Sequence, residues 1–248
     1  MERLNENFEG IRESIREFFP EESTAILWGS AGKDFIPGVS DADILIIGPA
    51  DPAMGEKLEK LHDAGGDLDV DPIYIPRDNF TEGIFRGQAL GREYELHAFD
   101  LYRVKNQGII LSGDPKLLDS FPDVSLEDAL ADTLPHIRNV FIPRLTGRLG
   151  ESQDVNGFLA ENLGQVLVVV RALYTIEAGQ FGSKLVALEF LKNQHPEFAR
   201  LAERICKIYL KQAISAEPVQ VRAIQDFLDF AGKTVDQYLA KTKKILGY

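Results

Sequence analysis

Cysteine is almost absent from this 248-residue chain: a lone Cys206 excludes an internal disulfide, and no cluster of cysteines and histidines marks a metal site. Basic charge is also in short supply. Lysine and arginine number 27 against 39 aspartates and glutamates, a net charge of −12, which argues against a broad grip on DNA or RNA, where affinity comes from cations neutralising phosphates. A small cationic partner suits that balance better. Long apolar runs are missing too: the most apolar stretch, Val166 to Val170, ends at Arg171 and is far too short to span a bilayer. The opening MERLNENFEGIRESIREFF is charged and amphipathic and lacks the apolar centre of a signal peptide. Together these absences predict a cytoplasmic protein with neither membrane nor nucleic acid as partner.

What is present is an ordinary core-forming composition, 44% hydrophobic and 27% charged, in a chain long enough for one large domain or two modest ones. Phe8, Ile11, Ile15 and Phe18 or Phe19 recur at helical spacing up to Pro20, predicting a helix before the strand TAILWG. The strand ADILIIG, a helix from about Ala53 to Ala64 and the period-two strand DLDVDPIYIP follow. A helical stretch near Glu93 to Lys105 then leads to a short strand in GIILSGDP. Beyond roughly Pro122 the strand signals fade, and helices are predicted at Leu126 to Arg144, Leu159 to Ala178, Ser183 to Lys192, Glu197 to Ser215 and Val219 to Leu246. Gly179 is placed to end one helix and Ser183 to cap the next, with Lys184 in its first turn. The fold class predicted is α+β: a mixed sheet with helices over residues 1–122, then an α-helical bundle over 123–248.

The chemistry gathers around LWGSAGKDFIPGVSDADILII. Residues two apart on a strand face the same way, so Asp41 and Asp43 present both carboxylates on one side of an otherwise apolar strand. Two like charges so close repel, and a divalent cation relieves the repulsion. Mg²⁺ takes a small number of hard oxygen ligands and leaves its other positions to water and phosphates. Asp67, Asp69 and Asp71 fall on one face of the later strand and offer a further acid. At the end of the first strand Gly29 lets backbone amides approach a phosphate, and the Ser30 hydroxyl can donate to it. Trp28 beside them reads as core. Each part alone is commonplace, since GS closes many strands and a bare D-x-D caps many loops. Their order is the signal.

WGSAGKDFIPGVSDADILII resembles the signature of the nucleotidyltransferase superfamily, the polymerase-beta-like fold. In the second half, VVVRALYTIEAGQFGSKLVALEFLKNQHPEFARLAERICKIYL is similar in order and spacing to the helical domain of the streptomycin/spectinomycin (aminoglycoside) adenylyltransferases. LYRVKNQGIILSGDP and IQDFLDFAGKTVDQYL extend the resemblance over most of the chain. It implies two Mg²⁺ ions on Asp41 and Asp43, with ATP as co-substrate. Asp69 is implied as the third carboxylate, taking the acceptor's proton or binding the acceptor-side metal, in a place where the family more often has glutamate; Asp71 competes for that role. Arg171 and Lys184 match positions that reach the nucleotide phosphates, and Gly29 and Ser30 match the turn that holds them. Glu161 matches an acid that meets the acceptor's amines, with Asp154 or Glu151 assisting. The implied reaction is transfer of AMP to a hydroxyl of an aminoglycoside or aminocyclitol with release of pyrophosphate, an antibiotic-resistance activity. The tryptophan and second aspartate that drug-modifying members carry just upstream are not evident in GESQDVNGFLAENLG, which leaves the acceptor open. Two other readings stand beside it: a protein-adenylylating regulator of toxin–antitoxin type, and a non-catalytic nucleotide-binding protein.

Overall fold

The computed structural model describes residues 2–29, 35–36, 39–66, 68–152, 154–213 and 219–246, without the side chains of 2–7 and 243–246. The chain divides into two compact units, Met1–Ser125 and Leu126–Tyr248.

In the first unit, α1 (Glu2–Phe18) turns Phe8, Ile11 and Ile15 inward, and Pro20, which lacks an N–H, follows its end. Then come β1 (Thr24–Trp28), β2 (Asp41–Gly48), α2 (Met54–Ala64), β3 (Asp69–Pro76), α3 (Arg77–Thr81), β4 (Arg86–Ala89), β5 (Arg92–Glu95), α4 (Ala98–Gln107) and β6 (Ile109–Ser112). The six strands form one sheet in the order β5-β4-β3-β2-β1-β6. Only β2 and β3 run parallel, which requires the α2 crossover between them; the other pairs are antiparallel.

Both faces of the central strands are covered, so Ile44 to Ile47 is a continuous apolar run. On one face Leu27, Ala42, Ile44, Ile46, Val70 and Tyr74 meet α1 and α2 through Phe8, Ile15, Leu58 and Leu61. The other face carries Ile26, Trp28, Leu45, Ile47, Ile73 and Ile75 against Leu96, Leu101, Val104 and Phe121. Truncating a fully buried leucine such as Leu58 or Leu61 to alanine costs about 2–5 kcal/mol.

The helix expected near Glu93 to Lys105 is shorter: Arg92–Glu95 is a strand paired with β4, and α4 begins at Ala98. The start is fixed by Asp100 Oδ2, which accepts the His97 backbone N–H at 3.2 Å. The β4–β5 hairpin escaped notice because its strands are short and largely polar.

The second unit is helical: α5 (Leu126–His136), α6 (Ile142–Glu151), α7 (Val155–Glu161), α8 (Leu163–Ala178), α9 (Lys184–Gln194), α10 (Ala199–Tyr209) and α11 (Val221–Leu246). Two expected helices are broken. Leu126 to Arg144 is interrupted by a π-helical turn, Ile137–Phe141, just after Pro135 removes one N–H from the ladder. Leu159 to Ala178 breaks at Asn162, where α7 and α8 turn through 80°. Asn162 is buried and accepts from Arg148 Nη1 at 2.7 Å while donating to the Phe158 carbonyl at 2.8 Å, so side-chain bonds hold the corner. Gly179 ends α8 in the left-handed conformation at φ 64°, and Ser183 Oγ accepts the Val186 N–H to cap α9. Phe198 sits edge-on to Phe227 at 5.6 Å, joining the 3₁₀ turn Pro196–Phe198 to α11. Among the described residues no single helix is long and apolar enough to cross a membrane.

Candidate active site

Strand alternation decides where the aspartates go. Asp41 and Asp43 share a face with Leu45 and Ile47, so they continue an apolar sheet face to its polar end. The parallel register sets Asp41 beside Asp69 and Asp43 beside Asp71, and on the other side Trp28 of β1 pairs with Asp43. Four carboxylates therefore stand in two adjacent rows. Asp41, Asp43 and Asp71 are half-buried and Asp69 is exposed; Asp67 lies outside the described residues. Burial pushes the Asp71 carboxyl above the ordinary carboxylate range, and the charges of Asp41 and Asp69 push the same way against Arg92 and His62. Tyr94 on β5 is raised as well, by burial first and then by Asp100, Asp43 and Asp71, with Arg103 opposing.

Gly29 closes β1 at φ +75°, a conformation that favours glycine. A β-carbon there would fall 1.8 Å from Asp43 Oδ2 and 3.1 Å from Arg103 Nη2. The missing side chain thus makes room for a carboxylate and a guanidinium that converge above the turn. Arg103 reaches this point from α4, its guanidinium carbon 5.1 Å from the Trp28 ring centroid and 6.0 Å from that of Phe99. Ser30, expected to share the phosphate turn, lies outside the described residues.

The donor set bears on a divalent cation. Among the described residues no three side chains of histidine, cysteine, aspartate or glutamate come together as a ready-made cage. Mg²⁺ does not ask for one: it is commonly held by one or two carboxylates, with substrate phosphates and water completing its shell. Asp41 and Asp43, paired on one strand face at the edge of the apolar core, fit that mode.

In the second unit, Arg171 on α8 holds its guanidinium carbon 4.3 Å from the Phe181 ring centroid. Lys184, the first residue of α9, places its ammonium 5.3 Å from that of Tyr209. Both cations thus flank the Gly179–Ser183 connection. Glu161 is the exposed last residue of α7, next to the Asn162 corner. Asp154, expected with Glu151 as an alternative to assist it, caps α7, accepting the N–H groups of Asn156 and Gly157 at 3.0 Å each. Arg103, Arg92 and Tyr94 were not foreseen. For Arg103 a signal existed, since Phe99 and Arg103 are four apart on a helix and share a side.

Neither a family model nor a curated protein matches the chain. Among solved structures it is similar to the crystal structure of spectinomycin adenyltransferase AAD(9) from Enterococcus faecialis with ATP and spectinomycin. The TM-score is 0.61 at 15% identity, over 93% of this chain and 98% of that one. At that identity the likeness shows the fold.

Proposed function

We propose that this chain, which shares the fold of an adenyltransferase, is a Mg²⁺-dependent nucleotidyltransferase that moves AMP from ATP to a hydroxyl of a small, cationic acceptor. The observation that carries the reading is the pair of registered carboxylate rows, Asp41 with Asp69 and Asp43 with Asp71, at the end of β1 where Gly29 opens the backbone.

In this reading Asp41 and Asp43 hold Mg²⁺, which when bound supplies charge neutralisation to the triphosphate. The acceptor oxygen forms a bond to the α-phosphorus as the bond to pyrophosphate breaks, and a carboxylate takes the hydroxyl proton. Sequence resemblance gives that base to Asp69. Position supports Asp71 instead, because it is half-buried beside Asp43, whereas Asp69 is exposed in the outer row. Arg171 and Lys184 contribute cations to the phosphates, and Glu161 an acid to the acceptor's amines. Alignment and charge neutralisation then account for most of the rate. The spectinomycin bound to the similar protein supports an aminocyclitol acceptor.

The test is pyrophosphate release from ATP and Mg²⁺ over a panel containing spectinomycin, streptomycin and other aminoglycosides, with Asp43→Asn as the blank. Release that depends on one aminocyclitol and vanishes in the blank is the expected result. Silence with every acceptor, together with tight binding of Mg²⁺ and ATP, would leave a nucleotide-binding protein and overturn the transferase.

A further inference from the structure

Arg103 stands among the acids of the site and has no role in the reaction just described. Two independent elements bring it there. On α4, Phe99 and Arg103 are four residues apart, so the helix delivers ring and guanidinium to one side; on β1, Trp28 is the register partner of Asp43, so the strand delivers a platform next to the carboxylate. The guanidinium lies along these rings, 5.1 Å and 6.0 Å from their centroids, and Nη2 comes within 3.1 Å of the point above Gly29 from which Asp43 Oδ2 is 1.8 Å away. Tyr94 on the edge strand β5 is close enough for Asp100, Asp43 and Asp71 to raise its pKa further, beyond the effect of burial, while Arg103 opposes them. A guanidinium set against two aromatic rings has given up much of its rotational freedom, so its charge is aimed and not merely nearby.

We propose that Arg103 is the resident counter-ion of the site, steadying the Asp43 carboxylate in the metal-free protein and competing with the incoming divalent cation for it. This rests on the reading of Asp41 and Asp43 as the Mg²⁺ ligands. A guanidinium stays charged at every working pH and cannot make way by losing a proton. It therefore opposes a bare cation. A cation that arrives with a triphosphate brings anionic oxygens that the same guanidinium can face, so Arg103 favours the metal–nucleotide complex over the metal alone. Arg103 acts through Asp43 and is in this sense a positioning residue.

The experiment is titration of the nucleotide-free protein with Mn²⁺, free Mn²⁺ being read by electron paramagnetic resonance, in wild type, Arg103→Gln, Arg103→Met and Asp43→Asn. The methionine variant keeps an unbranched stem on the Trp28 ring while removing the charge, and a melting curve for each variant confirms folding. Removal of a unit charge a few ångströms from the ion is expected to tighten Mn²⁺ binding on the order of tenfold in both Arg103 variants. The gain should shrink when ATP is present. Unchanged or weaker Mn²⁺ binding in both folded variants, with Asp43→Asn still abolishing it, would overturn the counter-ion and leave the metal site standing. Mn²⁺ binding indifferent to Asp43→Asn, or absent from wild type, would overturn the metal site and the counter-ion together.

Discussion

Asp43 closes over Gly29: its Oδ2 comes within 1.8 Å of the point where any other residue at position 29 would carry a β-carbon. Gly29→Ala must therefore push the carboxylate away and also place an alanine at φ +75°. The backbone strain alone is worth about 1–2 kcal/mol, to be read in urea denaturation. Turnover should fall to the level of Asp43→Asn, and turnover near wild type would separate Asp43's position from catalysis.

Asp71 and Asp69 are separated by one residue and by burial, so the two amide substitutions discriminate between them. Asp71→Asn should lower kcat by 10²-fold or more, the usual contribution of general-base catalysis, with ATP binding retained. Asp69→Asn should cost less. The reverse order, measured as pyrophosphate release at saturating substrate, would return the base to the outer row.

The cations and the acid of the helical unit should split by substrate. Under the proposed roles, Arg171→Met and Lys184→Met are expected to raise the KM for ATP several-fold, the loss of a charge-assisted contact to phosphate being of that order. Glu161→Ala should raise the acceptor KM and leave that for ATP unchanged. A Glu161→Ala enzyme with both constants at wild-type values removes this residue from acceptor recognition.

Asn162 holds the 80° corner between α7 and α8 with two hydrogen bonds in a buried position. Asn162→Ala should destabilise the protein by about 1–3 kcal/mol, because the Arg148 guanidinium loses its partner and the Phe158 carbonyl keeps only the backbone N–H of residue 162. Chemical denaturation of the purified variant reads this directly.

Tyr74 donates its hydroxyl to the Pro49 carbonyl from a buried position, and burial pushes its pKa up to about 12 from 10.0. The phenol is protonated in the folded state at pH values where the unfolded chain has already ionised. Its share of stability is thus present below pH 10 and is lost as pH rises towards 12. Tyr74→Phe should flatten the alkaline fall in stability over that window; an identical slope would place the lost stability elsewhere.

The strands that build the site were legible because their residues obey one period without conflict. Ile44 to Ile47 is apolar and, Leu45 apart, β-branched, and the aspartates two apart reveal which face is polar. Phe8, Ile11 and Ile15 did the same for α1. Legibility failed where a tertiary bond or a local defect overrides propensity. Asn162 sits inside a pattern that reads as one helix, and the bond it accepts from Arg148 at the corner is invisible in a linear reading. Pro135 was a visible warning, but a π-turn beginning at Ile137 accommodates it without ending the helical course. Arg103 escaped for a different reason: its meaning depends on Trp28 and Asp43, each more than fifty residues away in sequence.

The parallel pairing of β2 with β3 has a bearing on assembly. Slipping one strand by a single residue would turn its aspartates onto the opposite sheet face, towards the apolar cluster shared with α1 and α2, where burying a carboxylate is costly. The carboxylate rows thus act as a proofreading device for strand alignment: misregistered sheets are penalised by the very groups that make the correct one useful. Chains refolded from denaturant should regain activity in step with the native sheet, with no long-lived population that is folded yet dead.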